Sequence, residues 1–295
     1  MSHEKTNLPN WTGLLGWSTK YHDGTSASQL GPMDGERRNW LENALKAAFD
    51  GVEDPFKLMH KAVNEILDGK ISAGLDLLDY TSDFPDCADE LDKIGALVVL
   101  LNLVKSSDEN VVRRALEVLN MYLPNNQRVQ LAAQLKYHAL EVFKAVGSRF
   151  RGNDEVIHSS LSAIGSLIRN VDSLEKDFVR ENNISFLVDA ALESNFEQTV
   201  QKSVGIVCFL YDRHDLSSNL IEIENLARSI YSRRGTIFKD DSIQFWEIAA
   251  RLSHVRGISP SISEMFRQRL AWIMARRVTE RNDYSEEFQI LSSSS

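Results

Sequence analysis

The chain has 295 residues, 43% of them hydrophobic and 25% charged, with a formal net charge of −9. That mixture suits a globular protein with a large core. The acidic balance excludes the basic excess of a nucleic-acid binder and leaves room for local cationic patches.

Residues 1 to 32 form the first segment, rich in Asn, Thr, Ser and Gly, with one apolar island of Trp11, Leu14, Leu15 and Trp17. It reads as a flexible arm whose tryptophans dock either on the protein's own body or in a partner's groove. The segment lacks the basic flank and continuous apolar run of a secretory leader, and GALVVLLNLV is too short to cross a bilayer. A cytosolic protein without a membrane partner is therefore expected. The glycosylation sequons at Asn10 and Asn183 then read as chance matches.

Residues 33 to 94 supply helical patterns. MDGERRNWLENALKAAFDG has an apolar face of Trp40, Leu41, Leu45, Ala48 and Phe49, and PFKLMHKAVNEILDG opens on Pro55 and stops at Gly69. AGLDLLDYTSDF follows, and together they fit the atypical cap that closes one end of a repeat array. From residue 95 to 281 the pattern repeats. VVRRALEVLNMYL, IHSSLSAIGSLIRN, VQKSVGIVCFL and SIQFWEIAARL recur about every 43 to 45 residues, within the range of HEAT or armadillo repeats. In IHSSLSAIGSLIRN, Ile157, Leu161, Ile164 and Ile168 make one helical stripe. The predicted fold is an all-α, armadillo-like or HEAT-like α-solenoid with a concave face, and residues 282 to 295 form a C-terminal tail.

A search for chemistry returns little. The chain carries no phosphate-binding Walker loop, no HExxH, no Cys/His cluster at metal spacing and no GxSxG elbow. Neither a metal nor another cofactor is expected, and the reading is not an enzyme. Arg213-His214-Asp215-Leu216 with Asn219 faintly echoes a kinase catalytic loop, but the order and spacing fail, so a polar inter-repeat loop is expected. Cys87 and Cys208 sit among apolar or small neighbours and read as buried hydrophobes.

The remaining signal lies in the last helix of each repeat. Aligning the apolar stripes sets Arg114, Ser159, Lys202 and Phe245 in one row, and Asn125, Asn170 and Arg213 in another. An exposed Asn can hydrogen-bond a partner's backbone with both donor and acceptor, or simply cap its own helix. Arg169 can cap carbonyls or meet an acidic partner.

Three segments together resemble the Fes-type, or heat-shock-protein-binding, family of nucleotide exchange factors for heat-shock protein 70 chaperones. They are NWTGLLGWSTKYHDGT, ERRNWLENALKAAFDG and SLSAIGSLIRN. The resemblance implies an armadillo body wrapped around one lobe of the chaperone's ATPase domain, favouring an open nucleotide cleft and faster ADP release. It also implies that the arm with Trp11, Leu14, Leu15 and Trp17 helps to release substrate. Position by position, the family's contact segment matches Asp86-Cys87-Ala88-Asp89, its basic row matches Arg114 and Lys202, and its Leu-Ile-Arg-Asn element matches Arg169 and Asn170. The segment Leu119 to Asn126 and the residue Ser159 depart from the family pattern. The expected protein is a monomeric cytosolic co-chaperone. The alternative is an armadillo adaptor that binds an extended peptide or partner without affecting exchange.

Overall fold

The computed structural model describes residues 35–49, 53–233 and 260–275, with positions 284, 285, 288, 289 and 292. The arm with Trp11, Leu14, Leu15 and Trp17, the stretch containing Phe245 and most of the C-terminal tail lie outside the described residues. Two compact bodies divide the chain, Met1–Leu58 and Met59–Ser295. Among the described residues the secondary structure is helical, with no strand.

In the first body α1 (Gly35–Phe49) begins with Glu36 in its first turn, where a carboxylate favours the positive end of the helix. Its Trp40 and Leu45 are exposed. Helix α2 (Pro55–Leu67) starts on a proline, whose missing N–H is one that a helix start leaves unbonded anyway.

The second body carries the rest of α2, then α3 (Ile71–Thr81), then three repeats of three helices. The first repeat is α4 (Pro85–Glu90), α5 (Ala96–Val104) and α6 (Glu109–Tyr122). The second is α7 (Gln127–Tyr137), α8 (Ala139–Arg149) and α9 (Asp154–Ile168). The third is α10 (Asp172–Arg180), α11 (Asn183–Glu193) and α12 (Glu197–Tyr211). A 3₁₀ turn at Ser217–Asn219 and α13 (Leu220–Ser232) open a fourth, and α14 (Pro260–Met274) comes later. This is an α-solenoid.

Local chemistry sets the boundaries. Asp108 accepts from the Asn110 and Val111 backbone at the start of α6, and Asn126 and Asn153 do the same for α7 and α9. Such caps contribute about 1 kcal/mol each. Left-handed residues turn the chain between helices: Asn125 (φ 60°) lies just past the Leu123 cap of α6, and Asn170 (φ 66°) just past the Arg169 cap of α9.

Helix α9 packs against α6, α7, α8, α10 and α12. Its Leu161, Ile164 and Ile168 are buried, while Ile157 at the start of the expected stripe is only partly so. Burying a Leu or Ile side chain stabilises by about 1.5–3 kcal/mol, so this apolar seam holds neighbouring repeats together. Polar links run alongside it at about one repeat's separation. Tyr122 Oη meets Thr81 Oγ1 at 2.7 Å, Tyr137 Oη donates to Asp92 at 3.0 Å, and Lys144 Nζ donates to Asn183 at 2.8 Å. Asn183, the second sequon residue, is thereby buried.

Candidate partner-binding surface

A helix that repeats its buried stripe also repeats its outward one. On α12 the outward stripe is Gln198, Lys202, Gly205 and Phe209, with Arg213 one turn beyond. The same register gives Asn110, Arg114, Glu117, Met121 and Asn125 along α6, and Glu155, Ser159, Ser162, Ser166 and Asn170 along α9. Ser159 alone among these is buried. Its carbonyl accepts from Asn120 Nδ2 at 3.2 Å, tying α6 to α9.

The basic row is unequal. Arg114 is held by α3: its guanidinium donates to Ser72 Oγ at 2.8 Å and pairs with Asp76. Lys202 is half-buried, and among the described residues no carboxylate lies in ion-pair reach of it or of Arg169. Burial, then the positive charge of Arg169, pushes the Lys202 amine below its ordinary value. Arg169 stacks over the Phe209 ring at 4.8 Å and Arg213 lies over the same ring at 5.4 Å. Lys202, Arg169, Phe209 and Arg213 therefore share one cationic, aromatic patch.

The Asn row serves the chain itself. Asn125 and Asn170 both take a left-handed conformation in the turns after α6 and α9, and Asn170 Nδ2 donates to Asn125 Oδ1 at 3.1 Å. Both remain exposed, so each keeps hydrogen-bonding capacity for a partner. Arg213 continues the row into a buried knot. Glu175 is fully buried and accepts from the Asn170 backbone (2.9 Å) and Arg213 Nε (2.7 Å), with His214 Nε2 at 2.8 Å. Asp172, Glu175 and His214 bring three possible ligand atoms within 4.8 Å. Arg213 supplies the positive charge to Glu175 there, which makes the cluster an ion-pair network. The fragment that echoed a kinase loop is spent on such contacts: Asp215 accepts from Ser217 N, and buried Asn219 donates to Asn182.

The segment at 86 to 89 forms α4. Asp86 and Asp89 are exposed and Ala88 is partly buried, whereas Cys87 is fully buried with its N–H donating to the Phe84 carbonyl, which corrects its expected place among the contact residues. Asp86, Ala88 and Asp89 line an open groove of about 890 Å³ together with Met121, Asn125 and Arg128. Two groups of candidate residues, far apart in sequence, thus meet along one groove. Phe209 and Glu175 escaped sequence reasoning. The register that aligned Lys202 with Arg114 also aligns Phe209 with Met121, and Glu175 with the equally buried Gln130, which donates to the carbonyls of Ser166, Leu167 and Arg169.

No protein-family model matches the chain. Among curated proteins, the nucleotide exchange factor SIL1 of Xenopus laevis is 27% identical over 214 residues, 66% of this chain. The match spans 44% of that relative, less than half its length. The chain is thus similar over two thirds of its length to a nucleotide exchange factor. That similarity overturns the cytosolic expectation, because SIL1 is a protein of the endoplasmic reticulum.

Proposed function

We propose that this chain is a non-enzymatic nucleotide exchange factor of the Fes-type, armadillo kind, acting as a monomer on a heat-shock protein 70 chaperone. The observation that carries the reading is the 27% identity to SIL1 across 66% of the chain. The outward stripes of α6, α9 and α12 would grip the chaperone's ATPase domain, with Arg114, Asn125, Arg169, Asn170 and Lys202 in contact. Asp86, Ala88 and Asp89 would extend the contact along the adjoining groove. A half-buried lysine without a carboxylate partner gains when an acidic group is brought to it, because its lost hydration is then compensated.

The mechanism is differential binding. A stack of repeats with a continuous core resists deformation, so the chaperone lobe is the part that moves. Tighter binding to the open cleft than to the ADP-closed one shifts the chaperone toward the open state, by no more than the difference in affinity. A coupling of about 1–3 kcal/mol would change ADP affinity roughly 5–150-fold.

The test is release of a fluorescent ADP analogue from the chaperone, followed after addition of this protein at micromolar concentration. Faster release is expected. Tight binding with an unchanged release rate would instead identify the adaptor that the sequence left as the alternative.

A further inference from the structure

Helix glycines are informative because glycine is the poorest helix former after proline, so an interior one calls for a reason. A Cβ on Gly74 would lie 2.6 Å from the Ala62 carbonyl oxygen, and one on Gly165 would lie 3.3 Å from Ile206. Packing inside the chain therefore accounts for both. On Gly147 a Cβ would meet Phe186 at an ordinary 3.7 Å. Gly205 is different: among the described residues no atom lies within 4 Å of its notional Cβ. Nothing described inside the chain requires a glycine at this position, which lies on the outward stripe between Lys202 and Phe209.

We infer that Gly205 marks the closest approach of the partner. A carboxylate-bearing segment crosses α12 there, with its acid between Lys202 and Arg169 and its apolar flank on Phe209. This rests on the exchange-factor reading and adds the partner's chemistry and the residues that select it. Charge complementarity supports the occupant: in a chain of net charge −9, Lys202 and Arg169 are two cations with no carboxylate in reach among the described residues. The aromatic ring is already fixed. Phe209 is partly buried against the core and bracketed by Arg169 at 4.8 Å and Arg213 at 5.4 Å, so little side-chain freedom is left to lose on binding. Aromatic and arginine side chains grouped this way are typical of the few residues that dominate an interface. The equivalent stripe of α9 offers Ser159, Ser162 and Ser166, so the third repeat alone presents a lysine, a glycine and an aromatic at these positions.

The test titrates the full chain against the nucleotide-free ATPase domain of a heat-shock protein 70 chaperone by calorimetry, alongside thermal melts. Gly205→Gln places a side chain over the seat, while Phe209→Ser and Lys202→Ser install the residues found at the same register of α9. Each is expected to weaken binding about tenfold or more. Gly205→Ala is expected to melt no lower than the parent, because its methyl group meets none of the described residues and alanine is the better helix former. If the parent binds and the Gly205→Gln and Phe209→Ser variants bind equally well, the seat is refuted and the exchange reading stands. A parent that neither binds nor speeds ADP release refutes that reading, and the seat with it. Should Gly205→Gln lower the melting temperature, the two serine variants decide the matter.

Discussion

At the scale of single residues, His158 on α9 has its Nδ1 buried, with no hydrogen-bond partner among the described residues. Burial, then the charge of Lys202, pushes its imidazole below the ordinary 6.5, opposed by a hydrogen bond with the Gln198 backbone. A histidine lowered in this way binds fewer protons folded than unfolded. Its contribution to stability is present in full above 6.5 and is lost as pH falls from there through the folded value. Denaturant melts are expected to show stability falling between pH 7 and pH 5.5, and His158→Gln is expected to flatten that fall. An unchanged slope in the variant would remove His158 as the cause. Asp92 acts lower on the scale. Hydrogen bonds from Lys136 and Tyr137 hold its carboxyl below the ordinary 3.8, so its contribution disappears only in stronger acid.

At the scale of helices, α2 and α3 pack backbone to backbone through Gly74. A Cβ there would lie 2.6 Å from the Ala62 carbonyl oxygen and 2.5 Å from Ile66 Cγ1, and the carbonyl cannot swing aside as a side chain could. Gly74→Ala is therefore expected to destabilise by about 1–3 kcal/mol despite alanine's better helix propensity. A urea midpoint at or above the parent value would show that the two helices separate freely. Most helix positions were legible in the sequence, for local reasons. The apolar stripe of α9, the Asp108 cap and the Gly152-Asn153 turn each announce themselves within a few residues. Glu175 and Gln130 did not, since a charged or amide residue in an amphipathic helix reads as solvent-facing until its partners, 36 to 39 residues on at the far end of the same repeat, are known. Asn125 was legible as either a cap or a contact; it lies two residues past the Leu123 cap of α6, in a left-handed turn bonded to Asn170. Phe209 was hidden because the middle repeat breaks the row: Met121 shares its apolar character, but Ser166 between them does not.

At the scale of the molecule, polar links both close single repeats and join neighbours: Gln130 reaches the end of α9 and Arg213 reaches Glu175 within a repeat, while Tyr137 reaches Asp92 and Lys144 reaches Asn183 across a junction. Stability in such an array is a sum of repeat and interface contributions, so the binding face is as rigid as its weakest junction. The cationic patch on α12 and the open groove beside α4 lie at different repeats of the array, which suits a protein lobe larger than a single peptide. The activity proposed for this face carries a thermodynamic obligation. If binding this protein lowers the chaperone's affinity for ADP, then ADP must lower the chaperone's affinity for this protein by the same factor. The decisive measurement is the dissociation constant of the complex with and without saturating ADP. Weaker binding in ADP, by roughly 5–150-fold, is the expected result. Equal affinity in the two conditions would contradict exchange activity, however tightly the two proteins bind.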